Sequence, residues 1–352
     1  MRNKSGQLHS LSLGRAAVGM MIRFIFCVIL INGYLLGVAN SDGNNHQSQV
    51  VRLESANVVH LSPYNMMVVP SDVVVVELNI YAGREDPYIQ LPRAQIHRML
   101  QSSFGWRNPG ISTGLGYQGF TIYNYQRGPL LIGCGSDVGV ETGLLDRLGL
   151  GIDRELRHYV QSQIQFSSHQ RHHPHQRHHP HRHPQQGIPP HGFGCRPPPS
   201  TSKFEPHVWN NRTFVRRRNN CYNYANNIIT NSFAQPGRAN RHNITRNPIN
   251  LYGQSVFYGT QLDGLTPVPA HTQCLPNAGL NLVALVIWPG RDYHFYRLDN
   301  NGLFSHKPGR TAAKNVDNSN NLILDPRTCD RGPYRVFQGF FTTNVFDVRH
   351  IM

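Results

Sequence analysis

Charge is scarce in this 352-residue chain, at 15% Asp, Glu, Lys and Arg, and acidic charge is scarcer: 19 Asp and Glu stand against 34 Lys and Arg. The apolar fraction is also low, at 39%. A chain poor in both, with 32 Gly and 24 Pro, reads as loop-rich and β-leaning rather than built from long helices. The net charge of +15 with histidines neutral favours polyanionic partners. No nucleic-acid-binding module accompanies that charge, so nucleic acid is set aside and an acidic matrix or wall polymer is the expected partner.

Phe24 to Val38 is an apolar run of about the length of a signal-peptide core, preceded by Arg23 and followed by the small residues of Ala39-Asn40-Ser41. The expectation is a secreted chain with residues 1–41 as its signal and no stable membrane span once that is removed. A signal anchor is the alternative, against which Asn32 and Gly33 interrupt the run. Loss of Cys27 leaves Cys134, Cys195, Cys221, Cys274 and Cys329. An odd number in an oxidising compartment points to two bridges and one free thiol. Cys274 with Cys329 and Cys134 with Cys195 are the expected pairs; one bridge with three thiols, or an intermolecular bridge, stays open. Asn211-Arg212-Thr213 and Asn243-Ile244-Thr245 are N-glycosylation sequons.

The fold class expected is α+β. Residues 42–166 read as a small α/β region, with strands at Val73 to Ile80, Phe120 to Tyr125 and Leu130 to Ile132. Helical spacing marks Pro92 to Ser102 and Asp153 to Phe166. Residues 167–202 read as a disordered linker: Gln-Arg-His-His-Pro-His occurs at 170–175 and again at 176–181, with prolines dense enough to forbid helix and ladder alike. Its neutral imidazoles, His172, His173, His175, His178, His179 and His181, form a candidate loose site for Zn, Cu or Ni. A repeat grown by slippage, with no selected ligand, is the competing reading. Residues 203–352 read as a folded domain. Its predicted elements are a helix from Tyr222 to about Ser232 and a central strand from Leu280 to Trp288. A hairpin joins Tyr293–Leu298 to Leu303–Lys307, and a last strand covers Val336 to Thr342.

The chemistry-bearing stretch is Asn219-Asn220-Cys221-Tyr222-Asn223-Tyr224-Ala225. A cysteine opening a helix has its thiolate favoured by unpaired N–H groups and the helix dipole, and the same groups can serve as an oxyanion hole. His294, two residues after Asp292, is the candidate general base. Aligning Leu298 with Leu303 puts His306 opposite Phe295, beside His294, where it would orient the imidazole; Asp292, Asp299 and Asp317 are rivals for that role. Each residue also has a plain reading: Cys221 in a disulfide, His294 as a strand histidine bonded to Asp292, His306 at the surface.

The helix-opening cysteine of Asn220-Cys221-Tyr222-Asn223-Tyr224-Ala225, followed by a strand with histidine near its start, resembles the papain-like amidase and peptidase superfamily. Within it the text is similar to the NlpC/P60 and CHAP cell-wall amidases. Those carry a histidine at the start of one strand and a polar residue about a dozen positions later, as His294 and His306 do here. The likeness spans roughly residues 205 to 342. It implies a papain-like domain, with a short cysteine-bearing helix packed on an antiparallel sheet, that cleaves an amide bond in a peptide or amide-containing polymer. Cys221 would be nucleophile, His294 base then acid and His306 its orienter, with no cofactor required. The chain lacks the usual Asp-Cys-Ser or Gln-Cys start, which puts the oxyanion contacts in doubt. The C-terminal block also resembles secreted proteins of the organic matrix of mollusc shells. That likeness implies a place, the extracellular matrix, and no mechanism. With the His/Pro repeat and the basic charge it supports the alternative, a non-catalytic matrix protein whose partner is an acidic polysaccharide or a mineral surface.

Overall fold

The computed structural model describes residues 29–31, 34–36, 56–62, 65–101, 114–126, 128–172, 202–244, 253–269, 280–343 and 351–352. The chain divides into two compact units, Met1–Ala56 and Asn57–Met352. In the first, β1 (Ile29–Ile31) and β2 (Tyr34–Leu36) pair as an antiparallel hairpin, inside the run expected to be the signal core. Among the described residues no helix is long and apolar enough to cross a membrane.

The second unit begins with a two-stranded sheet of β3 (Ala56–Ser62) and β4 (Asn65–Pro70). A four-stranded sheet follows, in the order β6-β5-β7-β8, from β5 (Val73–Asn79), β6 (Tyr88–Pro92), β7 (Gly119–Tyr123) and β8 (Leu130–Gly133). Every pairing in it is antiparallel, so this region of helices and strands fits the α+β class expected of the chain. Between β5 and β6, and between β7 and β8, the connections are too short for the crossovers that parallel strands need. Helices α1 (Arg93–Gln101), α2 (Val138–Arg147) and α3 (Arg154–His172) complete the layer. Alternation along β5 places Val74, Val76 and Leu78 in one core with Leu144 and Leu145 of α2 and Leu156, Val160 and Ile164 of α3. Asp137 starts α2 by accepting the Val140 amide at 2.9 Å. The last helix runs six residues past Phe166, so part of the expected linker is helical; residues 173–201 lie outside the described residues.

After it come α4 (Pro206–Asn210), α5 (Thr213–Arg218), α6 (Cys221–Ala225) and α7 (Gln254–Leu262). The cysteine helix is one turn rather than the three predicted, because Asn227 takes a positive φ of 57° and the Asn223 side chain bonds Ile228 O and Thr230 Oγ1. The larger sheet has the order β12-β11-β10-β13-β9, all antiparallel. Its strands are β9 (Thr266–Val268), β10 (Asn281–Trp288), β11 (Asp292–Leu298), β12 (Phe304–His306) and β13 (Val336–Thr343). As its apolar run predicts, β10 is central and buried.

One register differs from expectation. Leu298 opposes Phe304 rather than Leu303, because the turn holds five residues, closed by Asp299 N donating to Leu303 O at 2.9 Å with Gly302 at φ 79°. A one-residue slip moves every side chain of a strand to the other face. Here it sets His306 opposite Tyr296, on the face of β11 that also carries His294.

One compact unit, Asn57–Met352, takes in residues 203–352 and most of the region expected at 42–166. The joint is the loop after β5. Asp292 Oδ2 accepts the amides of Ala82 (2.6 Å) and Gly83 (3.1 Å) and the Tyr334 hydroxyl, while Oδ1 accepts the Arg84 amide (3.0 Å). Gly83 O receives Asn220 Nδ2, Gln235 Nε2 and the Tyr293 hydroxyl. Trp288 packs edge-on against Tyr81, Tyr159 and Tyr334 beside this loop. A Cβ at Gly83 would lie 2.6 Å from the Tyr293 ring and its backbone oxygen, so Gly83→Ala should lower the unfolding free energy by about 1–3 kcal/mol. Gly151→Ala, with nothing within 4 Å of its new carbon, should not. Urea unfolding of both variants checks this, and equal losses would contradict it.

Candidate functional site

Asn220 is the N-cap of α6. Its Oδ1 accepts the amides of Tyr222 and Asn223 at 3.1 Å each, and Asn223 Oδ1 returns the contact to Asn220 N at 3.2 Å. Those helix-start amides are therefore taken by a side chain and do not face a substrate. Cys221 itself is fully buried, in a cluster with Tyr222, Val283, Leu285, Tyr293 and Phe295. Burial pushes its thiol pKa far up and nearby Asp292 adds to the rise, with Lys307 pulling weakly the other way. The expected activation of the thiol is reversed, since no helix end of one turn offsets full desolvation.

His294 and His306 do meet. His294 Nε2 lies 2.8 Å from His306 Nδ1, and His306 Nε2 lies 3.0 Å from Val316 O. A carbonyl only accepts, so His306 Nε2 carries the proton, its Nδ1 accepts, and His294 Nε2 donates. That leaves His294 Nδ1 as a bare lone pair with no hydrogen-bond partner. Tyr296 stacks on His306 and meets His294 edge-on, with Tyr334 at the far side. Both imidazoles are neutral: burial, then the neighbouring ring and Lys314, holds His294 well below its usual range, while burial and Lys314 push His306 down to about 3.

The triad is not assembled. Strand alternation sends Tyr293 and Phe295 to the face where Cys221 packs, and His294 and Tyr296 to the opposite face among Tyr334 and His306. The three rival carboxylates are committed elsewhere. Asp292 holds the 82–84 loop, and Asp299 binds Arg297 Nε at 2.9 Å. Asp317 accepts the amides of Ser319, Asn321 and Asp330. Cys329 is a free thiol beside Tyr296 rather than half of a bridge. Cys134 Sγ lies 3.1 Å from Ser167 Oγ, and the partners expected for both, Cys274 and Cys195, lie outside the described residues. Of the candidate metal ligands, His172 ends α3 and His173, His175, His178, His179 and His181 lie outside the described residues. Among the described residues no group of three or more His, Cys, Asp or Glu is placed to hold a metal.

Sequence reasoning missed a second buried network. Glu77, fully buried in β5, places Oε1 3.1 Å from Arg310 Nη1 and accepts the Tyr123 hydroxyl at 2.6 Å; Arg217 also reaches that hydroxyl. Asp86 accepts the amides of Ile80 and Tyr81. Its pKa is raised to about 8 by burial and by the charge of Glu77, against Arg310. Asp86, Arg217 and Arg310 line, with Asn79 and Thr121, a cavity of about 20 Å³, room for a single water. A glutamate inside an otherwise apolar strand was the available signal. A wider groove of about 620 Å³ runs past Arg93, His97 and Tyr125. Arg93 is spent there on the carbonyls of Ser71, Asn124 and Tyr125.

The fold and its interior define an α+β protein whose buried polar groups hold the chain together. No family model and no solved structure matches the chain. Over 141 residues it is 53% identical to insoluble matrix shell protein 1 of Ruditapes philippinarum, an alignment covering 40% of this chain and 88% of that protein. The chain belongs to the family of that protein.

The histidine pair sets a pH response. Both folded pKa values lie below that of a free imidazole, so the unfolded state binds more protons on the acid side. Their contribution is whole above about pH 6.5 and declines as pH falls toward about 3. Asp86 works in the opposite sense: its raised pKa makes the folded state hold the proton, a contribution lost as pH rises through about 8. Between pH 6.5 and 4, His306→Gln should flatten the fall in unfolding free energy relative to the parent chain, measured by urea titration. Parallel curves would contradict the assignment.

Proposed function

We propose that this chain is a non-catalytic protein of an extracellular matrix of shell or biomineral type. The folded unit is its rigid scaffold. The basic His/Pro-rich segment is the part that associates with metal ions, a mineral surface or an acidic polysaccharide. The observation that carries this reading is the 53% identity over 141 residues to a protein named for an insoluble shell matrix. Supporting it, the thiol and the imidazole occupy opposite faces of β11, both sealed from solvent, an arrangement that offers no route to an acyl-enzyme.

The net charge of +15 suits polyanionic polymers, and the response is an attraction that salt weakens. His172, His173, His175, His178, His179 and His181 would take Zn, Cu or Ni, since neutral imidazoles bind these ions. Protonation of these imidazoles in mild acid would release metal and strengthen the hold on a polyanion.

Two measurements on the full chain test the reading. Iodoacetamide should leave Cys221 unlabelled in the native protein and label it in urea, with His294→Ala changing neither result. Stoichiometric native labelling that His294→Ala abolishes would restore the thiol hydrolase. Deleting residues 169–183 should remove most Zn and Ni binding and weaken retention on an acidic polysaccharide column. Unchanged metal binding would refute the role given to the segment.

A further inference from the structure

The α4–α5 corner displays apolar surface that is exposed among the described residues. α4 is anchored from beneath: Trp209 is buried against Tyr224, and Asn210 exchanges two hydrogen bonds with Ala313, Nδ2 to O at 3.1 Å and N to Oδ1 at 2.7 Å. That anchoring turns Val208 outward, 42% exposed, and the following helix presents Phe214, 55% exposed even with the Arg218 guanidinium 4.4 Å over its ring. The two helices thus leave a valine and a phenylalanine exposed on either side of residues 211–213.

Asn211 lies between them. It continues the helical backbone at φ −68° and ψ −30°, its amide donating to His207 O at 3.1 Å, so its side chain rises on the face of Val208, three residues earlier. Asn211, Arg212 and Thr213 are all exposed, and together they form a sequon. From the exposed sequon and the apolar pair that flanks it, we infer that Asn211 carries an N-linked glycan whose first sugars cover Val208 and Phe214. The inference rests on the extracellular reading, because the donor is a lipid-pyrophosphate-linked oligosaccharide of the secretory pathway. In the transfer Asn211 Nδ2 forms a bond to the anomeric carbon of the first N-acetylhexosamine and loses one proton to a base. The bond from that carbon to the pyrophosphate oxygen breaks, and the lipid pyrophosphate leaves with the electron pair. Sugar rings present C–H faces that pack on aromatic and aliphatic side chains, while their hydroxyls stay hydrated, which suits a mixed Val, Phe and Arg surface.

The test uses the full chain made in a eukaryotic secretory host behind a foreign leader replacing residues 1–41, with Asn243→Gln so that one sequon remains. Peptide mapping with peptide N-glycosidase reads occupancy as conversion of Asn211 to aspartate. Most secreted molecules should be occupied; Thr213→Ala should abolish occupancy and Thr213→Ser retain it. Enzymatic removal of the glycan from the native protein should raise binding of a hydrophobic dye severalfold, and a Phe214→Ser change should blunt that rise. An unmodified Asn211 in secreted, folded protein overturns the inference, and so does glycan removal that leaves dye binding unchanged. Export with the foreign leader but retention with residues 1–41 would count against the extracellular reading alone.

Discussion

One buried carboxylate, that of Asp292, ties the five-stranded sheet to the loop that follows β5 of the four-stranded sheet. Asp292, at the first position of β11, takes three successive amides of the 82–84 loop and one tyrosine hydroxyl. Burial drives its pKa up and those four donors draw it back. An ionised group this deep is tolerable only when its lone pairs are filled. Removing a donor strands part of the charge, at a cost of about 1–3 kcal/mol for each orphaned contact. The loop that follows β5 is thus held by the five-stranded sheet.

The other buried polar groups repeat the pattern. Lys307 Nζ reaches Arg216 O, Asn219 O and Gly309 O, each at 2.5 Å, three acceptors set against the burial that holds its pKa well below the usual lysine range. It closes the carbonyl end of α5 just before the cysteine helix begins, where a cation is favoured. Arg297, buried in β11, spans Asp299, Tyr224 and Asn227. Such groups add little net stability compared with apolar packing, but they accept one arrangement of partners and penalise the rest.

Much of the fold was legible. Period-2 and period-3.6 patterns located β5, β7, β10, β11 and α3, because each buries one or both faces against a neighbour. The site was less legible, and two residues show why. His294 and His306 were recognised as partners, and they do touch, but by way of a register one residue away from the expected one, set by a five-residue turn whose length the Asp-Asn-Asn-Gly text leaves open. Cys221 was placed at a helix start, where it is; what the text does not carry is which face of β11 that helix covers. In a strand buried on both sides, as β11 is, neighbouring residues are equally apolar in their surroundings, so no polarity contrast tells one face from the other. The role of Asp292 at the joint and that of Glu77 escaped for a related reason, since Ala82 and Arg310, which they bind, lie more than 200 residues away in the chain.

Hydrogen exchange at the amides of Ala82, Gly83 and Arg84 tests the joint most directly. If Asp292 binds the two sheets into one cooperative unit, these loop amides should exchange only through global unfolding, with the same opening free energy as the amides of β10. Opening of the loop at a much lower free energy, with β10 still protected, would mean that the two sheets are merely neighbours and that the account built on Asp292 is wrong.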